Sequence, residues 1–298
     1  MPRRYVCYGV GGVGGTIAAK LAQSGANVTA IARGEHLEVI QTKGLRLRTQ
    51  AEDVTLQIAA VGHPSELEPA LGGDDVVIIS TKAHQALDVL AVIAALSAGD
   101  EPTIVCCTNG INTELASLRC ESGMPHIPGM RGAPLRDVLT RCCVPAASVS
   151  DFPNTIGMLV QLSGTHLVPG EVVCNSHGVH GWLDIGCYPT GSNELCESIA
   201  ADLRNAQFAC EADPQVMMKK RTKLLSNVNN CLAIMGQDED GAAHKTLNDA
   251  LIAEAEACYI AANMPYHPRG DSYRSLRVER PDSPRGTYVR VQQLHRVL

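Results

Sequence analysis

The chain has 298 residues, of which 45% are hydrophobic and 19% charged, a composition typical of globular rather than disordered proteins. Its length exceeds what one hydrophobic core usually organises, so we expect two domains. Acidic residues outnumber basic ones, 31 to 25, and the net charge of -6 argues against nucleic-acid binding. No apolar run approaches the roughly 20 residues that span a bilayer, which predicts a cytoplasmic protein without membrane contact.

The first third of the chain alternates strand-like and helix-like segments. Residues 4–8 are typical of a buried strand, residues 16–24 of a helix that Gly25 ends, and residues 27–32 of a second strand. Two strands joined through a helix predict a βαβ unit and therefore a parallel sheet. Further strands are expected at 54–60, 75–80 and 103–107, and a further helix at 86–96.

The order becomes irregular in the middle of the chain. Residues 121–150 hold Pro, Gly and Arg without a period, which predicts an inserted loop. Strand patterns return at 157–162, 170–174 and 181–185, followed by a helix at 194–209. Pro214 is expected to begin a helix that reaches about residue 235, and a second helix is expected at 242–262.

A glycine-rich motif, Gly9-x-Gly11-x-x-Gly14, directly follows the first strand and opens a helix. Such a turn lets a pyrophosphate approach the backbone, and the helix N-terminus supplies amide donors. The alternative is a glycine turn without a ligand. The expected fold is therefore a Rossmann-type doubly wound domain over residues 1–213, with the insert, and a smaller all-helical domain over residues 214–298. The cofactor residues predicted in the turn are Gly9, Val10, Gly11, Gly12, Val13 and Gly14.

The second strand ends at Ala32 and Arg33. An NAD site usually has an acidic residue here to accept the ribose hydroxyl, whereas an arginine can pair with a 2′-phosphate. Arg33 therefore predicts NADP(H) as the cofactor. The alternative is an ordinary solvated arginine at a strand end.

Several motifs together resemble the ketopantoate reductase (2-dehydropantoate 2-reductase) family. "GVGGVGG" and "VTAIARGEHLEVIQTKGLRL" are similar to the cofactor half of that family, and "STKAHQ" at residues 80–85 and "TNGI" at 108–111 to its next two signatures. "KLLSN" at 223–227 resembles the helix that carries its catalytic lysine, and "GDSYRSL" at 270–276 its serine segment. The resemblance covers most of residues 5–276.

The resemblance implies an NADPH-dependent reduction of 2-dehydropantoate to pantoate, in pantothenate biosynthesis, and allows a homodimer. Lys223 would be the general acid, because an ammonium beside a ketone oxygen polarises the carbonyl and delivers a proton. Lys82 would lie at the cofactor entrance, and Asn109 near both nicotinamide and substrate. Asn227, one helical turn after Lys223, would bind the substrate hydroxyl, and Ser272 its carboxylate.

Each role has an alternative. Lys219, Lys220 and Lys223 could form a solvated basic helix face, and Asn109 with Gly110 could be an ordinary turn. A second family asparagine falls on Cys231. A family glutamate after the serine segment finds no match: Glu279 and Asp282 lie nearby but outside its motif, and Tyr288 occupies the position that a Gly-Thr match indicates. These departures, with the insert and an expected shortening of the second domain, favour a divergent or mis-spliced sequence. The alternative function is thus a catalytically impaired NADP-binding relative.

Cysteines and histidines predict no metal centre. The 12 cysteines include no C-x-x-C pair, so reduced, mostly buried thiols are expected. His166, His177 and His180 are close in sequence, but no carboxylate or further ligand stands at useful spacing.

Overall fold

The computed structural model describes residues 3–97, 99–117, 152, 154–176, 179–234 and 241–267. The predicted insert at 121–150 lies outside these residues. The chain divides into two compact units, and among the described residues the change from the first to the second falls between Met217 and Met218. Both sheets belong to the first unit, and the described residues of the second are mainly helical. The domain limits 1–213 and 214–298 stay a prediction.

A seven-stranded sheet organises the first unit. Its strands are β1 (Arg4–Tyr8), β2 (Asn27–Ile31), β5 (Ala59–Val61), β6 (Val76–Ile79), β7 (Thr103–Cys106), β8 (Thr155–Met158) and β11 (Ile185–Cys187). Their order across the sheet is β11-β8-β7-β6-β1-β2-β5, and every pair is parallel except β11 with β8. The doubly wound fold that the βαβ pattern predicts is confirmed.

A second sheet of four strands was not expected from the sequence. It contains β3 (Leu45–Arg48), β4 (Asp53–Leu56), β9 (Gly164–Thr165) and β10 (Glu171–Cys174), in the order β4-β3-β10-β9. The single strand expected at 54–60 is thus two strands, one in each sheet. In β3 the leucines are buried and the arginines exposed, as in a sheet with one face on the core and one in water.

Seven α-helices are found in the described part of the chain, and none of them is long and apolar enough to cross a membrane. They are α1 (Gly12–Gln23), α2 (Gly34–Lys43), α3 (Ala83–Leu96), α4 (Asn112–Ser117), α5 (Glu194–Asn205), α6 (Val216–Asn227) and α7 (Ala242–Ala261). A 3₁₀ helix at Val228–Ile234 follows α6. The helix predicted from Pro214 to about 235 therefore begins two residues later and changes form at its end.

Helix α1 lies between the two sheets, in contact with β1 and β2 on one side and with β3 and β10 on the other. For this reason its residues from Gly14 to Leu21 are all buried, including the charged Lys20. Successive residues of β1 point to opposite faces of the main sheet. Tyr5 and Cys7 join the core around α1, whereas Val6 and Tyr8 join a second core that includes α3.

Candidate functional site at the carboxyl edge of the main sheet

The chain reverses its direction of winding between β1 and β6. From β1 it runs outward through β2 to β5, then returns to β6 on the other side of β1. Tyr8 is level with Ile31 of β2 and with Ile79 of β6, so these three strands end side by side. Ligands of doubly wound sheets bind in the crevice outside the carboxyl ends of the strands at such a switch point. The glycine motif begins here, directly after Tyr8.

Gly9, the first glycine of the motif, makes the tight turn. Its φ of +92° lies in the region that favours glycine, and a Cβ would stand 2.8 Å from Thr81 Cγ2. The Ser80 hydroxyl donates a hydrogen bond of 2.7 Å to the Gly9 carbonyl oxygen. The turn after β1 is therefore fixed against the segment that follows β6.

Gly14, the third glycine, allows α1 to pack tightly, because a Cβ there would overlap Ser80 Oγ and the Gly9 carbonyl oxygen. Gly12 similarly leaves room for the backbone of Gly164. Gly11 is different: among the described residues, no atom outside its own chain neighbours lies within 4 Å of where its Cβ would stand. The fold thus requires the first and third glycines, while the second faces space that a ligand's phosphates can enter.

The N-terminus of α1 is suited to an anion. Gly11 is its N-cap residue, no side chain caps it, and its first turn holds no acidic residue. The backbone N–H groups of this first turn, which have no acceptor within the helix, and the positive end of the helix dipole therefore face the glycine turn. This chemistry fits a pyrophosphate.

His36 holds the glycine turn from the side of α2. Its Nε2 donates to the Val10 carbonyl oxygen at 2.9 Å, and its Nδ1 accepts from the Gly170 N–H at 2.8 Å. The His166 ring lies 4.0 Å away, centroid to centroid. Burial lowers the pKa of His36, helped by His166 and opposed by the bond to Val10. No site role was predicted for His36 from the sequence, although it lies three residues after Arg33.

Arg33 and Lys82 follow the two strands that flank β1 in the main sheet, so they lie on opposite sides of the glycine turn. Arg33 is exposed, two residues beyond the end of β2, and is the N-cap residue of α2. Lys82 is exposed, three residues beyond β6, and is the N-cap residue of α3. Two cations are thus placed at the ends of the two strands that flank β1.

Asn109 belongs to the same edge. It is exposed in the turn after β7, the strand next to β6, where Cys106 is level with Ile79. Gly110 adopts a φ of +98° in this turn. The structure therefore brings Arg33, the glycine turn, Lys82 and Asn109 to the ends of four neighbouring strands.

Two further predicted site residues belong to the second unit. Lys223 and Asn227 are half-buried on α6 and, four residues apart, share one face of that helix. Lys220, one turn before Lys223, is only 4% exposed, so the alternative of a wholly solvated basic face is wrong for that lysine. Thr222, on another face, accepts a hydrogen bond from the His267 N–H at 2.9 Å. Ser272 lies outside the described residues.

A surface pocket of about 600 Å³ lies near the opposite end of α1, away from the glycine turn. It is lined by residues that include Glu52, His180 and Gln207. Glu52 and Gln207, with Gln23, accept the three hydrogen bonds of the buried Lys20 ammonium, at 2.6–2.9 Å. Because Glu52 neutralises this lysine, we interpret the cluster as support for the fold rather than as a phosphate site.

In the described part of the chain, no three His, Cys, Asp or Glu side chains are grouped to hold a metal ion. His166 donates from Nδ1 to the Glu171 carbonyl oxygen, and His180 hydrogen-bonds the Gln207 side chain. His177 lies outside the described residues.

Comparison with known proteins finds matches to one family. Residues 5–129 match the family model of ketopantoate reductase PanE/ApbA. A 2-dehydropantoate 2-reductase of Mesorhizobium japonicum is 39% identical over 105 residues, which are 35% of this chain and 31% of that protein. The one of Pyrococcus horikoshii is 25% identical over 260 residues, 85% of this chain and 71% of that protein.

The match to the Mesorhizobium protein thus spans about a third of that protein's length. The similarity in fold to solved structures extends over more of the chain than this sequence match. A structure of dimeric ketopantoate reductase from Staphylococcus aureus covers 98% of this chain and 85% of its own, with a TM-score of 0.62 and 20% identity. That likeness extends over both units. The resemblance to the ketopantoate reductase family that the sequence motifs indicate is therefore confirmed.

Proposed function

We propose that this chain is an NADPH-dependent reductase of a small 2-oxo acid, with 2-dehydropantoate as its substrate and pantoate as its product. The observation that carries the proposal is the glycine turn at the switch point, where Gly9 and Gly14 are packed and Gly11 faces open space. The names of the relatives that match the sequence support the same reaction.

The residues at the sheet edge fit a dinucleotide. Amides at the start of α1 would bind the pyrophosphate, and Arg33 the 2′-phosphate. Lys82 and Asn109, on the other side of the glycine turn, would contact the part of the cofactor nearer the substrate. When bound, NADPH supplies the hydride that reduces the keto carbon.

Residues of the second unit would handle the substrate. Lys223 would hold a proton at its ammonium group and donate it to the substrate's keto oxygen, since a cation there stabilises the developing negative charge. Asn227, on the same helix face, would bind the substrate hydroxyl, and Ser272 the carboxylate. In this proposal residues 1–213 bind the cofactor and residues 214–298 form the substrate and dimer domain.

A paired measurement tests the proposal. NADPH binding is titrated by fluorescence, and NADPH oxidation is followed with 2-dehydropantoate and with a panel of other branched 2-oxo acids. Turnover with 2-dehydropantoate above the panel supports the proposal. Binding without turnover would select the impaired NADP-binding relative, and the absence of binding would overturn both.

The oligomeric state is tested separately. Because the related Staphylococcus aureus enzyme is described as dimeric, we propose that this chain forms a homodimer in the cytoplasm. Light scattering coupled to size exclusion should give twice the mass of one chain, and a monomer across the working concentration range would reject the dimer.

A further inference from the structure

Two cysteines of the first unit have neighbouring sulfur atoms, at a place away from the glycine turn. Cys187 is the last residue of β11, and Cys196 lies in the first turn of α5. Their Sγ atoms are 3.5 Å apart. A disulfide needs about 2.0 Å between the sulfurs, so the two side chains must move closer for the bond to form.

The backbone holds both residues in place. The Cys187 N–H donates to the Gly191 carbonyl oxygen at 2.8 Å, and the Cys196 N–H donates to the Asn193 side chain at 2.9 Å. Asn193 is also the N-cap residue of α5, so the helix start fixes where Cys196 stands. The short distance between the sulfurs is therefore built into the loop that joins β11 to α5.

We propose that Cys187 and Cys196 form a reversible dithiol–disulfide pair, a modification site that responds to peroxides. Cys187, which is half-buried, would react first. Its thiolate attacks a peroxide oxygen, the O–O bond breaks, and a sulfenic acid and one water result. Cys196 then attacks the Cys187 sulfur, the S–O bond breaks, and a second water leaves. Two thiols and one hydrogen peroxide thus give one disulfide and two waters.

The two environments agree with this order of reaction. Cys196 is completely buried, and burial raises its pKa to about 12, with a further contribution from the hydrogen bond to Cys187. It is thus protected from direct attack by a solvent oxidant, because the reactive form is the thiolate. Oxidation of Cys187 removes the thiol whose hydrogen bond contributes to this raised pKa. In the second step the Cys196 proton leaves with the hydroxyl group of the sulfenic acid, as water.

The cross-link would stabilise the entry to α6. The loop after Cys187 already contacts Pro214, whose carbonyl oxygen accepts from the Gly191 N–H at 2.9 Å and from the Thr190 hydroxyl at 3.0 Å. Pro214 stands two residues before α6 begins. A disulfide at the base of this loop would restrict the unfolded chain and so raise the temperature of unfolding. This inference does not depend on the proposed reductase activity.

The test uses the reduced full-length chain. After treatment with equimolar hydrogen peroxide, free thiols are alkylated and the peptides mapped by mass spectrometry. We expect a cross-linked peptide that joins Cys187 to Cys196, lighter by two hydrogen atoms than the reduced pair, and an upward shift of the unfolding temperature that a reductant reverses. If both cysteines are alkylated as fully as before treatment, the pair is only packed and the proposal is overturned.

Single variants test the order of reaction. In Cys196→Ser, the sulfenic acid on Cys187 has no partner, so a 1,3-diketone trap should label Cys187. In Cys187→Ser, Cys196 should stay unlabelled because it is buried. Cys210→Ser is the matched control, because Cys210 is a buried thiol that donates a hydrogen bond to the Leu183 carbonyl oxygen. This variant should leave the cross-link unchanged. Labelling of Cys196 rather than Cys187 would contradict the assigned order.

Discussion

The hydroxyl of Ser80 occupies the space that a Cβ of Gly14 would need. The same hydroxyl donates a hydrogen bond to the Gly9 carbonyl oxygen, which also lies against Gly14. One side chain from the segment after β6 therefore fixes both the turn and the approach of α1. A residue larger than glycine at position 14 would separate these elements.

We expect Gly14→Ala to destabilise the fold. Alanine is favoured over glycine within a helix by roughly 1 kcal/mol, but overpacking a closely packed position costs roughly 1–3 kcal/mol or more. The overlap includes a backbone carbonyl that cannot rotate away, so the cost should exceed the gain. Urea unfolding should give a lower midpoint at an unchanged slope, and an equal or higher midpoint would contradict the packing described above.

Gly11→Ala should separate binding from folding. Its φ of -73° suits any residue, and no described atom outside its own chain neighbours would meet the added methyl group. The loss of stability should therefore be about 1 kcal/mol or less, because alanine is less favoured than glycine at an N-cap but meets no steric overlap here. The methyl group would, however, enter the space proposed for the pyrophosphate, so NADPH affinity should fall about tenfold or more, which corresponds to about 1.4 kcal/mol. An unchanged affinity for NADPH in a titration would contradict the proposal that the phosphates bind beside Gly11.

The strand, glycine turn and helix could be predicted because local signals agree there: an apolar strand, three spaced glycines and a helix pattern. The second sheet was missed because its pairing is nonlocal: β3 pairs with β10, more than a hundred residues later. The alternation of Leu45–Arg48 was a usable signal for one half of that pair. His36 could not be predicted, since its role depends on Gly170, which is distant in sequence.

Arg33→Ala should remove most of the preference for NADPH over NADH. A hydrogen bond to a charged group contributes about 1.5–3 kcal/mol, and Arg33 is exposed at the sheet edge where it can reach a ligand. Dissociation constants of both cofactors measure the effect. Lys43→Ala is the matched control, because it removes an exposed cation from the other end of α2. Equal affinities for NADPH and NADH before mutation would reject the assignment of Arg33.

His36 should make stability depend on pH. Its folded pKa is lowered from 6.5, so the unfolded chain takes up a proton more readily than the folded one. This contribution is fully present above pH 6.5 and is lost as the pH falls through the lower, folded pKa. As the pH is lowered below 6.5, the urea midpoint of the unmutated chain should therefore decline more steeply than that of His36→Gln. His84→Gln, at an exposed histidine of α3, should keep the steeper decline. Identical pH profiles for the unmutated chain and His36→Gln would contradict this role.

Lys223→Ala should lower turnover by roughly 10²–10⁴-fold, the usual contribution of a general acid, with little change in NADPH affinity. Asn227→Ala should mainly raise KM for the 2-oxo acid, because an amide that binds substrate transfers no proton. Lys245→Ala is the control within the same unit. This exposed lysine lies on α7, where it forms an ion pair with Asp249 at the surface. Single-turnover measurements separate the chemical step from binding. If the unmutated chain turns over 2-dehydropantoate and Lys223→Ala leaves that rate unchanged, Lys223 is not the proton donor, and the donor must be sought elsewhere in the chain.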